Sequence, residues 1–268
     1  MAHFLIEAEN RKEILFDLCW EIKLAIDYQK WYNSSYSHTY QLCDIKDLKY
    51  IPDLNLTYPI GSIQFVHRFF EILNVPIPLP INIPEQLNKY DFLKREISHA
   101  KMKDIYKIDK FPIFIKPSKE IKLFTGCVVD KKHFEDNSIY TLYSDLSEET
   151  DVMMSDLIDI SSEYRCFVYS GNLVGIKHYL GDFKLFPDIY KIEDMISAYT
   201  DSPISYVMDV GIIERKTSST HLDLSGNIND TVLIEVHNFY SNGLYGFNDD
   251  KHIFRMCISW MNSYLKRF

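Results

Sequence analysis

Ten residues, Val75-Pro-Ile-Pro-Leu-Pro-Ile-Asn-Ile-Pro84, carry four prolines. Each proline removes a backbone donor and fixes φ, so the run excludes helix and most sheet pairing. It reads as an extended linker between lobes, and the chain's punctuation as a whole separates blocks at residues 1–85, 86–150 and 151–268. The first block opens with a short apolar strand, His3 to Glu7. A helix is expected over Arg11 to Tyr28, where Ile14, Leu15, Leu18, Ile22 and Ala25 recur at helical spacing. A second helix is expected after Gly61-Ser62, with Ser62 as its N-cap.

In the middle block Leu93 to Lys107 reads as a basic helix, followed by a strand over Phe111 to Pro117. The last block is β-rich. Tyr164–Ser170 and Leu173–Tyr179 flank Gly171-Asn172, a hairpin signal. Ser205–Glu214 and Val232–Phe239 read as buried strands, and His252–Lys266 as an amphipathic helix. Strands and helices mix without strict βαβ alternation, which predicts α+β, or α/β in separate lobes.

A 46% hydrophobic content excludes disorder as the main state. The net charge of −9 argues against general nucleic-acid binding, which needs a basic surface. Cys19, Cys43, Cys127, Cys166 and Cys257 are scattered, with no CxxC or Cys/His spacing, so reduced thiols in a cytoplasmic protein are expected. The opening residues lack a basic region followed by a long apolar run, and no stretch reaches about 18 apolar residues. Neither a secretory leader nor a membrane span is expected.

Three clusters could carry chemistry. Lys116 ends an apolar strand, and Lys119, Lys122, Phe124, Thr125 and Gly126 follow it in a loop without the Walker pattern. Such lysines suit phosphate binding, while the plainer account is a solvated loop. In Ser162-Glu-Tyr-Arg-Cys-Phe-Val168, strand alternation puts Glu163, Arg165 and Phe167 on one face. That face is either a solvent side or the wall of a cleft in which Arg165 grips a phosphate.

The third cluster is the most telling. Asp209 and Glu235 each sit within an apolar strand, where a carboxylate is costly unless a cation compensates it. On adjacent strands the two could share Mg²⁺, with Asn238 or His237 completing the site. His237 also admits a transition metal or a purely structural role. Tyr240-Ser-Asn-Gly-Leu-Tyr-Gly-Phe247 then suggests a tight loop near the strand end, placed to hold an acceptor.

In this order the motifs resemble the ATP-grasp superfamily, and within it the clade named for two arginines and one lysine. The resemblance spans about the last two-thirds of the chain, with echoes at Pro59-Ile-Gly-Ser-Ile-Gln-Phe65 and Arg95. It implies an ATP-grasp fold, in which two α+β lobes clasp ATP behind a smaller α/β N-terminal domain. By position Lys116 resembles the strand lysine on the nucleotide phosphates, and Lys122 lies in the loop that covers them. Met154, Ser155, Asp156 and Leu157 resemble the hinge whose backbone meets adenine. Arg165 resembles an arginine facing the phosphates, and Asp209 and Glu235 match the two acidic Mg²⁺ ligands.

Many members read Glu-x-Asn at the metal; here His237 takes that place and Asn238 follows. The implied activity is a Mg·ATP-dependent ligase that activates a carboxylate as an acyl-phosphate and passes it to an amine or another nucleophile. Two other readings share the scaffold: a nucleotide-binding module without turnover, and a phosphotransferase.

Overall fold

A computed structural model describes residues 2–35, 37–119, 123–132, 147–214 and 229–267. Strands β1 (His3–Glu7), β2 (Thr39–Cys43) and β3 (Thr57–Ile60) form a parallel sheet in the order β2-β1-β3. Phe4, Leu5 and Ile6 of the central strand are fully buried, as expected for a parallel sheet covered on both faces. Helix α1 (Asp17–Tyr32) makes the crossover from β1 to β2. It starts later than the apolar spacing suggests. Asn10 and Arg11 both take left-handed φ values (50° and 61°), and Glu9 bridges to Glu13, so this segment folds into a turn. Helix α2 (Ile63–Ile72) begins where expected, with Ser62 Oγ accepting from Phe65 N at 3.1 Å.

The proline-rich stretch has no helix or regular strand, and it is tied down at several points. Val236 N donates to Asn82 O (2.7 Å), Asn82 Nδ2 to Ser118 O (3.0 Å), and Tyr264 Oη to Pro76 O (2.8 Å). After it come a single turn, α3 (Tyr90–Leu93), and strands β4 (Ile97–Lys101), β5 (Ile113–Pro117), β6 (Cys127–Val129) and β7 (Asp151–Ser155). They pair antiparallel in the order β4-β7-β5-β6. The helix expected over Leu93 to Lys107 does not form. Lys94 turns left-handed (φ 51°), Ile97–Lys101 pairs with β7, and Met102–Lys107 closes as 3₁₀ turns. Met102 and Ile105 thereby reach a small core with Ile113, Ile115, Val152 and Met154. Tertiary pairing outweighs local helix propensity here.

A second antiparallel sheet holds β8 (Ser162–Tyr169), β9 (Asn172–Gly181), β10 (Ser205–Glu214) and β11 (Asn229–Asn238), in the order β11-β10-β8-β9. The β8–β9 turn falls one residue before the expected position. Ser170 and Gly171, both at positive φ (50° and 73°), make a two-residue loop closed by Tyr169 opposite Asn172.

Alternation along these strands serves two cores. Tyr164, Cys166, Val168, Tyr206, Met208 and Val210 pack with helix α4 (Ile189–Ala198), an element the sequence reading missed. Phe167 and Val207, on the other face, join a core built from β1, α1, α2 and the closing helix α5 (Asp250–Leu265). There Phe4 meets Phe254 with ring centroids 5.6 Å apart, and Phe70 meets Trp260 at 6.4 Å. Each such fully buried side chain contributes about 1.5–3 kcal/mol. Among the described residues no helix is long and apolar enough to cross a membrane.

Candidate nucleotide and metal site

Antiparallel register sets a row of charges across the second sheet. Lys177 on β9 lies opposite Arg165 on β8, Arg165 opposite Asp209 on β10, and Asp209 opposite Glu235 on β11. Directly opposed residues share a face, so two cations and two carboxylates stand side by side. Next to Glu235 the register slips: Leu233 faces Val210, which leaves Ile234 as the extra residue of a β-bulge. The buried Arg95 fills the bulge, donating to Leu233 O (2.9 Å), Ile234 O (3.0 Å) and Leu93 O (3.2 Å). Burial lowers the pKa of Arg95, and the nearby Glu235 charge opposes that effect.

Arg165 grips Asp209 at two points, Nε to Oδ1 at 2.8 Å and Nη2 to Oδ2 at 2.7 Å. Its Nη1 donates to Gly243 O at 3.1 Å. Both side chains are almost wholly enclosed, at 9% and 3% exposure. Burial works against the Arg165 charge, but the bonds to Asp209 outweigh it and raise the pKa. Glu235 bridges two partners, with Lys116 of β5 on Oε2 and His237 Nε2 at 2.9 Å from Oε1. Burial would raise its pKa; the His237 bond and charge, together with Lys116, pull it well below the usual carboxylate range. His237 Nε2 also lies 3.8 Å from Asp209 Oδ2. Lys116 therefore carries a charge from the first antiparallel sheet into the row on the second.

Aromatic rings line the other end. Tyr179 and Tyr245 stack with centroids 4.8 Å apart, and the Arg165 guanidinium carbon sits 5.0 Å from the Tyr245 ring centre. The Tyr179 hydroxyl donates to Glu163 Oε2 at 2.7 Å. Its pKa is raised, first by burial and then by the Asp209 charge. Tyr245 belongs to the loop after β11, which is anchored to the first part of the chain. Asp17 Oδ2 accepts from the backbone N–H groups of Leu244 (2.6 Å) and Tyr245 (3.1 Å), and Ser241 Oγ donates to Gly61 O (2.7 Å). Tyr245 and Gly246 both take positive φ (50° and 81°), the tight turn that the glycines suggested.

Of the residues singled out in the sequence, Lys116, Arg165, Asp209, Glu235 and His237 converge. Asn238 does not join them. Its amide is engaged elsewhere: Nδ2 donates to Leu79 O (3.1 Å) and Oδ1 accepts from Trp260 Nε1 (3.2 Å). Lys122 lies outside the described residues. Met154 and Ser155 are buried in β7, in register with both β4 and β5, and Met154 packs in the small core. Asp156, paired with Lys110 at 2.5 Å, and the exposed Leu157 follow at the exit of β7, on the connection to β8.

Lys177, Tyr179 and Tyr245 are additions from the structure. One Asp209 oxygen, one Glu235 oxygen and one His237 nitrogen lie within 4.8 Å of one another. Two carboxylates and an imidazole around one point fit a divalent cation.

Two antiparallel four-stranded sheets meeting at this cluster, behind a parallel sheet with its helices, define an ATP-grasp fold. Residues 92–253 match the model of an ATP-grasp domain family, family 2 of the clade named for two arginines and one lysine, and the chain belongs to that family. Among solved structures it is similar to the D-alanine–D-alanine ligase from Bacillus anthracis complexed with ATP, at a TM-score of 0.53 and 11% identity over 100% of this chain and 99% of that one. It is also similar to D-cycloserine synthetase DcsG, with a TM-score of 0.54 and 8% identity over 98% and 100% of the two chains. A RimK domain ATP-grasp protein from Sphaerobacter thermophilus gives 0.51 and 12% over 97% and 100%. No curated protein matches the sequence.

Proposed function

We propose that this chain is an ATP-dependent, ADP-forming ligase that joins a carboxylate to an amine or a related nucleophile through an acyl-phosphate. The observation that carries the reading is the junction itself, where Lys116 from one sheet meets Arg165, Asp209, Glu235 and His237 on the other. Family membership and the ATP-bound ligase of like fold support the nucleotide.

In this reading Lys116 leaves Glu235 for the phosphate oxygens, and Lys122 is the second lysine that the family resemblance assigns to them. Arg165 stays clamped to Asp209 and presents its outer edge to the phosphates. The backbone of Met154, Ser155, Asp156 and Leu157 meets the adenine. Asp209, Glu235 and His237 hold the cation, Mg²⁺ in the family pattern, which offsets phosphate charge when bound. The substrate carboxylate attacks the γ-phosphorus and the bond to the ADP oxygen breaks, giving acyl-phosphate and ADP. The amine then attacks the acyl carbon, phosphate departs, and the amine gives up a proton. No protein nucleophile is needed; the cations stabilise charge that develops in the transition state. The buried thiols of Cys19, Cys43, Cys166 and Cys257 support residence in a reducing compartment such as the cytoplasm.

Calorimetry with a non-hydrolysable ATP analogue, with and without divalent cation, tests the reading on the wild type and on Glu235→Gln. Cation-dependent binding that weakens strongly in the variant is expected. A folded wild type that binds no nucleotide overturns the proposal. A second reading, a module that binds nucleotide without turnover, is favoured by the two-point clamp that already engages both Asp209 oxygens. Nucleotide binding with no ADP released across carboxylate and amine pairs would select it.

A further inference from the structure

We infer that His237 Nε2 is the third protein ligand of the divalent cation, and that this imidazole turns the site's preference from Mg²⁺ towards a first-row transition ion such as Mn²⁺. The inference deepens the nucleotide reading above and rests on it.

Geometry makes the case. His237 lies two residues after Glu235 on β11, on the same face of the strand, and its side chain is 34% exposed. Its Nε2 is 2.9 Å from Glu235 Oε1 and 3.8 Å from Asp209 Oδ2. An octahedral ion with bonds of about 2.1 Å needs neighbouring donors about 3 Å apart and opposite ones about 4 Å apart. Both distances from Nε2 fall in that range, and the three ligand atoms lie within 4.8 Å of one another. Asp209 Oδ2 is bonded to Arg165, yet a carboxylate oxygen keeps a second lone pair for a cation.

The neighbouring amide offers no substitute. Asn238 spends its oxygen on Trp260 Nε1 and its nitrogen on Leu79 O. This stretch of β11 therefore presents an imidazole nitrogen where an all-oxygen set would suit Mg²⁺ better. Mg²⁺ prefers oxygen donors and parts reluctantly with water, whereas imidazole binds more tightly to ions further along the first row. Mn²⁺ stands at the weak end of that row but shares the oxygen preference of Mg²⁺, so a mixed set of carboxylates, phosphate oxygens and one imidazole suits it. In this arrangement the Nε2 lone pair faces the ion and the ring proton resides on Nδ1.

The full chain is loaded with Mn²⁺ and a non-hydrolysable ATP analogue, and electron spin echo spectra are recorded on protein with ordinary and with ¹⁵N-labelled histidine. A nitrogen coupling that changes from the ¹⁴N to the ¹⁵N pattern on labelling is expected, since adenine nitrogens are untouched by that label. In His237→Asn the coupling should vanish and the ratio of Mn²⁺ to Mg²⁺ affinity, read by competition, should fall at least about tenfold. Bound Mn·nucleotide with no label-sensitive coupling overturns this inference and leaves the nucleotide reading standing. An unchanged affinity ratio in a folded His237→Asn also overturns it. Failure of the wild type to bind nucleotide with either ion overturns both.

Discussion

Arg165 and Asp209 stand directly opposite each other on β8 and β10, and the guanidinium holds both carboxylate oxygens at 2.7–2.8 Å in a nearly closed environment. Removing one partner leaves the other as a buried, uncompensated charge. Arg165→Met should therefore lower unfolding free energy by about 3–5 kcal/mol in urea titrations. Arg165→Met/Asp209→Leu should recover most of that loss. Equal destabilisation in the single and double variants would show that packing, not charge, dominates the site.

Lys116→Met should act on binding more than on folding. Glu235 keeps His237 as a partner and has some access to water, so the fold tolerates the loss. A charge-assisted contact to phosphate contributes about 1.5–3 kcal/mol, which corresponds to roughly tenfold to a hundredfold weaker nucleotide binding. Calorimetry beside a thermal melt separates the two effects, and unchanged affinity would remove Lys116 from the phosphate site.

Arg95→Met leaves three carbonyl oxygens, on Leu93, Leu233 and Ile234, without their donor. Each orphaned acceptor costs about 1–3 kcal/mol, so a loss of at least about 2 kcal/mol is expected after partial relaxation. Hydrogen exchange should rise across residues 232–236, because the bulge that aims Glu235 loses its filler. Exchange unchanged in that strand would show that the bulge is held by its ladder alone.

Acid should destabilise the fold in two stages. Burial lowers the pKa of His3, His38 and His67, aided by Lys30 at His3 and by the chain's N-terminus at His38, and opposed by Glu71 at His67. Below an ordinary histidine value of about 6.5 the unfolded chain binds more protons than the folded one. Stability should thus be full at pH 7.5 and fall as pH drops from about 6.5 towards the folded-state values. The depressed Glu235 carboxyl adds a second loss, starting only below about pH 4 and continuing as pH falls through its folded value. Urea midpoints between pH 7.5 and 3 read both stages. A flat profile from 7 to 5 would mean that these histidines open to water without cost.

The acidic pair was legible because charge inside an apolar strand is conspicuous, and alternation then puts Glu235 and His237 on one face. Ser62 was legible as a cap because its side chain acts within three residues. Lys177 was not. Counting back from the Ser170-Gly171 turn puts Ile176 opposite Arg165; a bulge at Val174 shifts the register and delivers Lys177 instead. Bulges depend on the partner strand, so no local pattern announces them. The same limit explains Leu93 to Lys107, whose local preference is helical but whose edge is claimed by β7, a strand distant in sequence. Asn238 lies apart from the cluster because its amide is taken by Leu79 O and Trp260 Nε1, partners remote in sequence that no local pattern announces.

The core that joins Phe4 to Phe254 has a consequence for how the chain is made. β1, α1 and α2 leave the ribosome before α5, yet α5 supplies part of the surface they bury. During synthesis the β2-β1-β3 unit must wait, with one apolar face open, until α5 has emerged. The two later sheets draw on partners closer in sequence and can close first. Of these units the one made earliest is therefore the last to complete its packing, and a nascent chain stalled before α5 exposes a surface for chaperones.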